Sequence, residues 1–424
     1  MKTFHLNLLL IVIAITVSCN NEEIKNQELI LTNTSDIELF DKPISIERKV
    51  LNIADTTSLF PIVIFEQDTI PSQVNTSRNS SAWDELFFVI DFKPKEVKTI
   101  SVAWVTEKPT YKARTSARFG KRASAETKVA PQTKETMLAN ELPLSLGYQQ
   151  YQTDGPSWEN DKVGFRHYLD GRNAKDLFGK KTSAISPENV GINANGAVED
   201  NYHVMEDWGR DILAVGNSVG LGGYALATEN ELMRLGVTVN DSINTIEKTT
   251  FEIRNEGPIN SVLEYTFSNW KPNERTYNVS ETTSIWPGTY GYKNTVSVEG
   301  LQGDENLVVG LVNINNDQPL EVFENNDKYV VLLTHDKQSY EKEWWLGMAL
   351  ILPKEKYKGY IEAPKTGNLS NTYLAKLDIK NYEPISYFAI AGWELSNEDF
   401  IDRSKFVSYV KNLADQLSAE ITIK

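Results

Sequence analysis

Residues 249–286 read TTFEIRNEGPINSVLEYTFSNWKPNERTYNVSETTSIW. Three runs inside this stretch alternate apolar and polar residues: Thr249-Thr-Phe-Glu-Ile-Arg, Ser261-Val-Leu-Glu-Tyr-Thr-Phe and Tyr277-Asn-Val-Ser-Glu-Thr-Thr-Ser-Ile-Trp. A period of two sends successive side chains to opposite faces, so each run is a strand with one buried face. Downstream, Leu307 to Val312, Tyr329 to Thr334, Trp344 to Leu352 and Tyr387 to Trp393 are more continuously apolar strands. Upstream, Glu28-Leu-Ile-Leu-Thr, Ile37-Glu-Leu, Pro43-Ile-Ser-Ile, Pro61-Ile-Val-Ile-Phe, Leu86 to Phe92 and Thr99 to Val105 repeat the strand pattern, separated by turn residues. A helix is expected only at the C-terminal end. There Ser396 and Asp399 resemble a capping box, and Phe400, Phe406, Val407, Val410, Leu413, Ala414 and Leu417 make one apolar stripe. The expected fold is mainly β: a large antiparallel β-sandwich, supersandwich-like, with few helices and one C-terminal helix.

The expected organisation has five parts. Residues 1–19 read as a lipoprotein signal peptide and 20–27 as a polar tether. Residues 28–105 are N-terminal strands. Residues 106–146 lose periodicity and read as a long loop or arm, with a short helix near Glu135 to Ala139. Residues 147–424 are the main sandwich with its C-terminal helix. No internal repeat is visible. The signal rests on Lys2, the apolar run Leu8 to Ile15, and Val17-Ser18 before Cys19. That run is shorter than the roughly 20 apolar residues a membrane span needs. Cys19 is the single cysteine of the chain. A lipid on it would place the protein in the periplasm or at the outer membrane, held to the membrane through that anchor only. It also leaves no cysteine for a disulfide, a thiolate nucleophile or a cysteine-based zinc site.

The formal net charge of −15 argues against nucleic acid and anionic membrane surfaces as partners. It leaves room for an anionic small substrate, because local cations can override a global field. The 18 tyrosines and 9 tryptophans suit core packing, and also the stacking of sugar C–H faces.

Chemistry-bearing residues concentrate in WENDKVGFRHYLDGRNAKDLFGKK (158–181) and NYHVMEDWGRDILAVGNSVGLGG (201–223). Of the four histidines, His167 and His203 lie here, each beside a tyrosine, Tyr168 and Tyr202. Read as a strand, the first block sends Val163, Phe165, His167 and Leu169 one way, and Arg166, Tyr168 and Asp170 the other. That makes His167 either a half-buried structural residue or a proton carrier. Arg172 and Lys180 are expected on a loop beyond Gly171, where they either stay solvated or clamp an anion. The second block is expected to be a loop on which His203, Asp207, Arg210 and Asp211 converge. A histidine oriented by a carboxyl group is a competent base near neutral pH. Gly216, Gly220, Gly222 and Gly223 suggest an anion cradle, although no P-loop or dinucleotide fingerprint surrounds them. No nucleophile elbow or zinc-protease helix is present. Paired carboxylates for glycoside hydrolysis stay open. His335 next to Asp336 hints at a metal with no further ligand spaced for it.

These two blocks resemble the motif core of domain-of-unknown-function family 4861, over most of the chain from the first strands to Trp393. The resemblance implies a place among polysaccharide-utilisation genes of Bacteroidota. It also implies a likeness to an oligosaccharide dehydratase that acts on ulvan fragments, removing water across C4–C5 of a non-reducing-end uronic acid. On that reading His203 is the base, with His167 its rival, and Tyr168 or Tyr202 is the acid. Arg172 or Arg210 meets the carboxylate, and Arg166, Lys180 and Asp207 lie in the substrate site. No organic cofactor is needed, and a divalent cation such as Ca²⁺ or Mg²⁺ stays open. The alternatives are a polysaccharide lyase, a glycoside hydrolase on the same substrates, or a non-catalytic glycan-binding lipoprotein.

Overall fold

The computed structural model describes residues 26–51, 53, 58–77, 82–143 and 148–424. The signal peptide, Cys19 and nearly all of the tether lie outside the described residues. The architecture is mainly β, built from antiparallel sheets, with one long helix at the C-terminal end.

The central element is a nine-stranded sheet that begins with Lys134–Leu138 and continues through Ile246–Asn255, Ser261–Trp270, Tyr277–Ile285 and Gly291–Glu299. It then runs through Ile385–Trp393, Leu346–Pro353, Tyr329–Asp336 and Glu321–Phe323. The alternating strands come first in this order, and the continuously apolar ones follow. The difference has a packing cause. In Leu346–Pro353, Met348 and Leu350 enter the main core on one face while Ala349 and Ile351 pack on the other. A strand covered on both faces has no reason to alternate.

One face of this sheet packs on two five-stranded sheets. The first contains Thr115–Arg118, Ser157–Asn160, Val163–His167, Lys175–Lys180 and Gly209–Asp211. The second contains Leu221–Ala227, Asn306–Val312 and Thr372–Asp378. Trp158, Phe165, Tyr265, Tyr292 and Leu311 share the resulting core. The other face receives the C-terminal helix, Arg403–Ser418. Phe406 seats against Gly347 and Gly392, where an added Cβ would come within 2.3 and 2.6 Å of its ring. The N-terminal strands pair in a five-stranded and a three-stranded sheet around their own core. Ile421–Ile423 returns to complete the five-stranded one.

Three expectations are corrected. Of the expected arm 106–146, the described residues 106–143 are not an arm: Thr115–Arg118 and Lys134–Leu138 are edge strands of the two facing sheets. Glu135 to Ala139 is mostly strand, not helix, and of Lys134–Leu138 only Met137 is buried, so the segment shows no apolar period. The long helix is capped by Asp402, whose carboxyl accepts from the Ser404 amide. Asn397 caps only the preceding 3₁₀ turn, and Ser396 instead donates to the Lys180 carbonyl.

Candidate functional site

Strand Val163–His167 is buried on both faces, and its alternation sorts the chemistry. His167 points inward. Its ring stacks on Tyr265 at 4.5 Å, its Nε2 lies 3.1 Å from Asn173 Oδ1, and its Nδ1 lies 2.6 Å from Lys175 Nζ. Lys175 in turn pairs with Glu281 of the nine-stranded sheet at 2.5 Å. Burial, and then the Lys175 cation, hold the His167 imidazole well below its usual range, so it is neutral. The sequence left His167 as structural or catalytic; the structure encloses it fully among Tyr265, Asn173 and Lys175.

Arg166 points the other way, to the outer face, yet it is equally buried. Its register partner across the sheet is Asp176. The guanidinium donates to Asp176 Oδ2 through Nε (2.8 Å) and Nη2 (2.5 Å), and Nη2 also reaches Asp211 Oδ2 at 2.7 Å. The Tyr168 hydroxyl lies 2.6 Å from both Arg166 Nη2 and Asp176 Oδ2. The rings of Tyr168, Tyr202 and Phe178 surround the cation at 4.5, 4.7 and 5.3 Å. The roof over this face is the 186–208 segment, in which Val190, Tyr202 and Trp208 pack on Phe178. Burial and the nearby Asp176 push the Asp211 carboxyl up to about 8.

His203 stands at the rim of this cluster, on the short 3₁₀ turn Asn201–His203. Its side chain is 46% exposed, and its Nδ1 lies 3.6 Å from Asp211 Oδ2, an electrostatic contact longer than a hydrogen bond. Its ring lies 4.8 Å from that of Tyr202. Burial, and then Arg166, lower its pKa, which favours the neutral imidazole. The Tyr202 hydroxyl donates to Asp200 Oδ1 at 2.8 Å and lies 3.1 Å from Asp154 Oδ2. Asp154 and Asp200 line a cleft of about 220 Å³ with Arg172, Asp170 and Tyr151. Burial raises the Asp154 carboxyl above its usual range.

The predicted substrate residues divide. Arg172 reaches the cleft, but Asp170 closes it at 2.7 Å and its guanidinium lies 4.0 Å from the Tyr168 ring. Lys180 is not on a loop. It ends the strand Lys175–Lys180, is buried, and pairs with Glu159 at 2.5 Å and the Asn160 carbonyl at 2.6 Å. Its expected role as an anion clamp is thereby corrected: its charge is spent inside the fold. Asp207 is exposed and outside the cluster. Arg210 is on the short strand Gly209–Asp211, not a loop. The glycines at 216–223 do not cradle an anion. The carbonyls of Asn217 and Ser218 converge on the buried Arg234 guanidinium instead, at 2.7 and 3.2 Å. Gly220 is required because an added Cβ would fall 1.7 Å from the Lys175 carbonyl. His335 bonds the Phe400 carbonyl at 2.7 Å and stacks on Trp345, so it is a packing residue. Among the described residues, no group of three or more His, Cys, Asp or Glu is placed to hold a metal ion.

Sequence reasoning missed the turn that faces His203. Tyr340 lies 6.4 Å from the imidazole by ring centroids, and Trp344 lies 5.4 Å from the Arg210 guanidinium. The only signal was aromatic density in SYEKEWW (339–345), read there as the start of a core strand.

Layered antiparallel sheets, with a buried arginine–carboxyl cluster beneath a half-exposed histidine on an outer sheet face, define a β-sandwich protein. The chain belongs to the family described as Domain of unknown function (DUF4861), whose sequence model matches residues 31–423. It is similar to Uncharacterized protein P7 of Formosa agariphila, 24% identical over 289 residues, covering 64% of this chain and 67% of that protein. Among solved structures it is similar to a glycosyl hydrolase family 38 protein from Enterococcus faecalis, with TM-score 0.46, 9% identity and coverage of 94% of this chain and 47% of that one. An alpha-mannosidase from Enterococcus faecalis V583 gives TM-score 0.46 and 9% identity, with coverage of 94% and 46%. The chain thus spans under half the length of either structure.

Proposed function

We propose that this protein is a carbohydrate-active lyase that eliminates water from the non-reducing-end uronic acid of ulvan-type oligosaccharides. The observation that carries the reading is His203, a neutral, half-exposed imidazole set over a buried carboxyl and against a tyrosine. The choice of substrate follows the resemblance of the two motif blocks.

In this reaction the C5 proton, α to the carboxylate, passes to His203 Nε2. Its electron pair becomes the C4–C5 double bond, and the C4–O bond breaks. The departing hydroxide takes a proton and leaves as water. Tyr202 is the better placed of the two phenols to supply that proton, because its hydroxyl bonds the cleft-lining Asp154 and Asp200. The Tyr168 hydroxyl is enclosed by Arg166 and Asp176 and serves the buried cluster. Asp211 Oδ2, 3.6 Å from His203 Nδ1, gives the imidazole a polar neighbour on its buried side. The substrate carboxylate is neutralised by an arginine and no organic cofactor takes part.

An unsaturated uronate absorbs near the ultraviolet edge, so turnover is followed directly. The wild type should generate that absorbance from uronate-terminated oligosaccharides. His203→Ala should reduce it by about 10² to 10⁴, the usual worth of a general base, with an unchanged melting curve because the ring is half exposed. New reducing ends without absorbance would make the protein a hydrolase, and binding without either product a glycan-binding protein. We further propose that Cys19 carries a lipid anchor. Cys19→Ala should release a folded protein from the membrane fraction, and its retention after a high-salt wash would contradict the anchor.

A further inference from the structure

We infer that Arg210 and the turn from Ser339 to Trp344 form the subsite for the uronate carboxylate and sugar face, and that Glu343 occupies the carboxylate's place until substrate arrives. The ligand class rests on the proposed function; the subsite rests on geometry. Other arginines nearby are already closed by acids: Arg166 by Asp176 at 2.5 Å, Arg172 by Asp170 at 2.7 Å, and Arg118 by Glu159 at 2.5 Å. Arg210 differs. Its Nε donates to the Asp211 carbonyl at 2.9 Å, which fixes the stem. Its Nη groups make no hydrogen bond among the described residues. The nearest acid is Glu343 at 3.9 Å, too long for a hydrogen bond, and that carboxyl is 49% exposed. A planar fork with two free donors fits a carboxylate bidentately.

Aromatic rings frame the fork. Trp344 lies 5.4 Å and Tyr340 6.0 Å from the guanidinium, and Tyr340 is 41% exposed. His203 lies 6.4 Å from Tyr340 on the same surface. A carboxylate on Arg210 would thus bring C5, its bonded neighbour, toward the imidazole, with the sugar's C–H face over the rings. The turn is held in place for this task. The Tyr340 amide donates to the Ile212 carbonyl at 2.7 Å, and the Trp344 amide to the buried Ser339 hydroxyl at 2.8 Å. Glu341 and Lys342 hold φ of 60° and 58°, a left-handed conformation that residues other than glycine seldom adopt and that this docking sustains.

The test measures binding apart from chemistry, in the His203→Ala background. The probes are a uronic-acid-terminated oligosaccharide and its carboxyl-reduced counterpart, followed by tryptophan fluorescence and calorimetry. The parent should prefer the acid. Arg210→Gln should lose about 10- to 100-fold in affinity for the acid and little for the reduced sugar. Arg210→Lys should recover only part of the preference, since it keeps the charge without the fork. Glu343→Gln should bind the acid about 2- to 5-fold tighter by removing the competing carboxylate. The subsite is overturned if Arg210→Gln and Arg210→Lys both retain the parent's preference, or if Glu343→Gln binds the acid more weakly. If the preference follows Arg210 and Glu343 but active enzyme removes no water, the subsite stands and the dehydratase reading falls. If water is removed yet the preference ignores Arg210, the reverse holds.

Discussion

Replacing Arg166 by methionine removes the cation that bridges the two buried carboxyls of the outer-face cluster. The side chain is 1% exposed, and its guanidinium meets Asp176 at 2.5 Å, Asp211 at 2.7 Å and the Tyr168 hydroxyl at 2.6 Å. Methionine keeps much of the apolar stem but leaves two buried carboxyls facing each other without a counter-charge. Breaking a buried pair in this way costs about 3–5 kcal/mol, against about 0–1 for a surface pair. Urea unfolding followed by circular dichroism should therefore show a loss of about 3–5 kcal/mol for Arg166→Met. A second substitution sharpens the test. In Arg166→Met with Asp176→Asn, one orphaned acid is neutralised, so the double variant should be more stable than Arg166→Met alone. A single-variant loss below about 1 kcal/mol would refute the reasoning, because the cluster would then behave as a solvated surface pair. Strictly additive losses would refute it too, because they would mean that Arg166 and Asp176 do not interact.

Asp211→Asn should flatten the pH dependence of stability. A carboxyl whose folded pKa is raised to about 8 binds more protons in the native than in the unfolded state, so its contribution falls as pH rises from about 4 toward 8. The variant's urea midpoint should lose less than that of the wild type over this window, and an identical slope would contradict the assignment. His167→Gln should remove an acid sensitivity of opposite sign. The native imidazole resists protonation, so its share of stability is lost as pH falls below about 6.5, where the unfolded state gains a proton. Unfolding curves on either side of that pH check this, and activity of the folded variant should persist, since His167 is enclosed. Prolonged chelation should leave turnover unchanged if an arginine neutralises the substrate carboxylate; activity restored only by added Ca²⁺ or Mg²⁺ would mean that a cation does.

The strands that carry the fold were legible wherever one face meets core and the other does not. Ser261–Trp270 alternates because only one face joins the main core. Edge strands such as Lys134–Leu138 were not legible, because a single buried residue makes no period. At the site, the two motif blocks were found by residue type, and alternation separated His167 from Arg166 correctly. Alternation could not reveal that both faces of Val163–His167 are covered, since the roof comes from residues 186–208. Nor could it distinguish a cation already paired from one still open. Lys180 and Arg210 look alike in sequence, yet Glu159 closes the first at 2.5 Å while Glu343 stays 3.9 Å from the second. The Tyr340–Trp344 turn was hidden because its partner Arg210 lies far away along the chain, and only the docking of Tyr340 on Ile212 unites them.

The central claim is most directly tested by mass analysis of an ulvan-type, uronate-terminated oligosaccharide incubated with the protein in heavy water. The account predicts a product lighter than the substrate by one water, formed by the wild type and not by His203→Ala. Fragments whose masses together exceed the substrate by one heavy water, or a substrate left unchanged across a broad panel of uronate oligosaccharides, would contradict it.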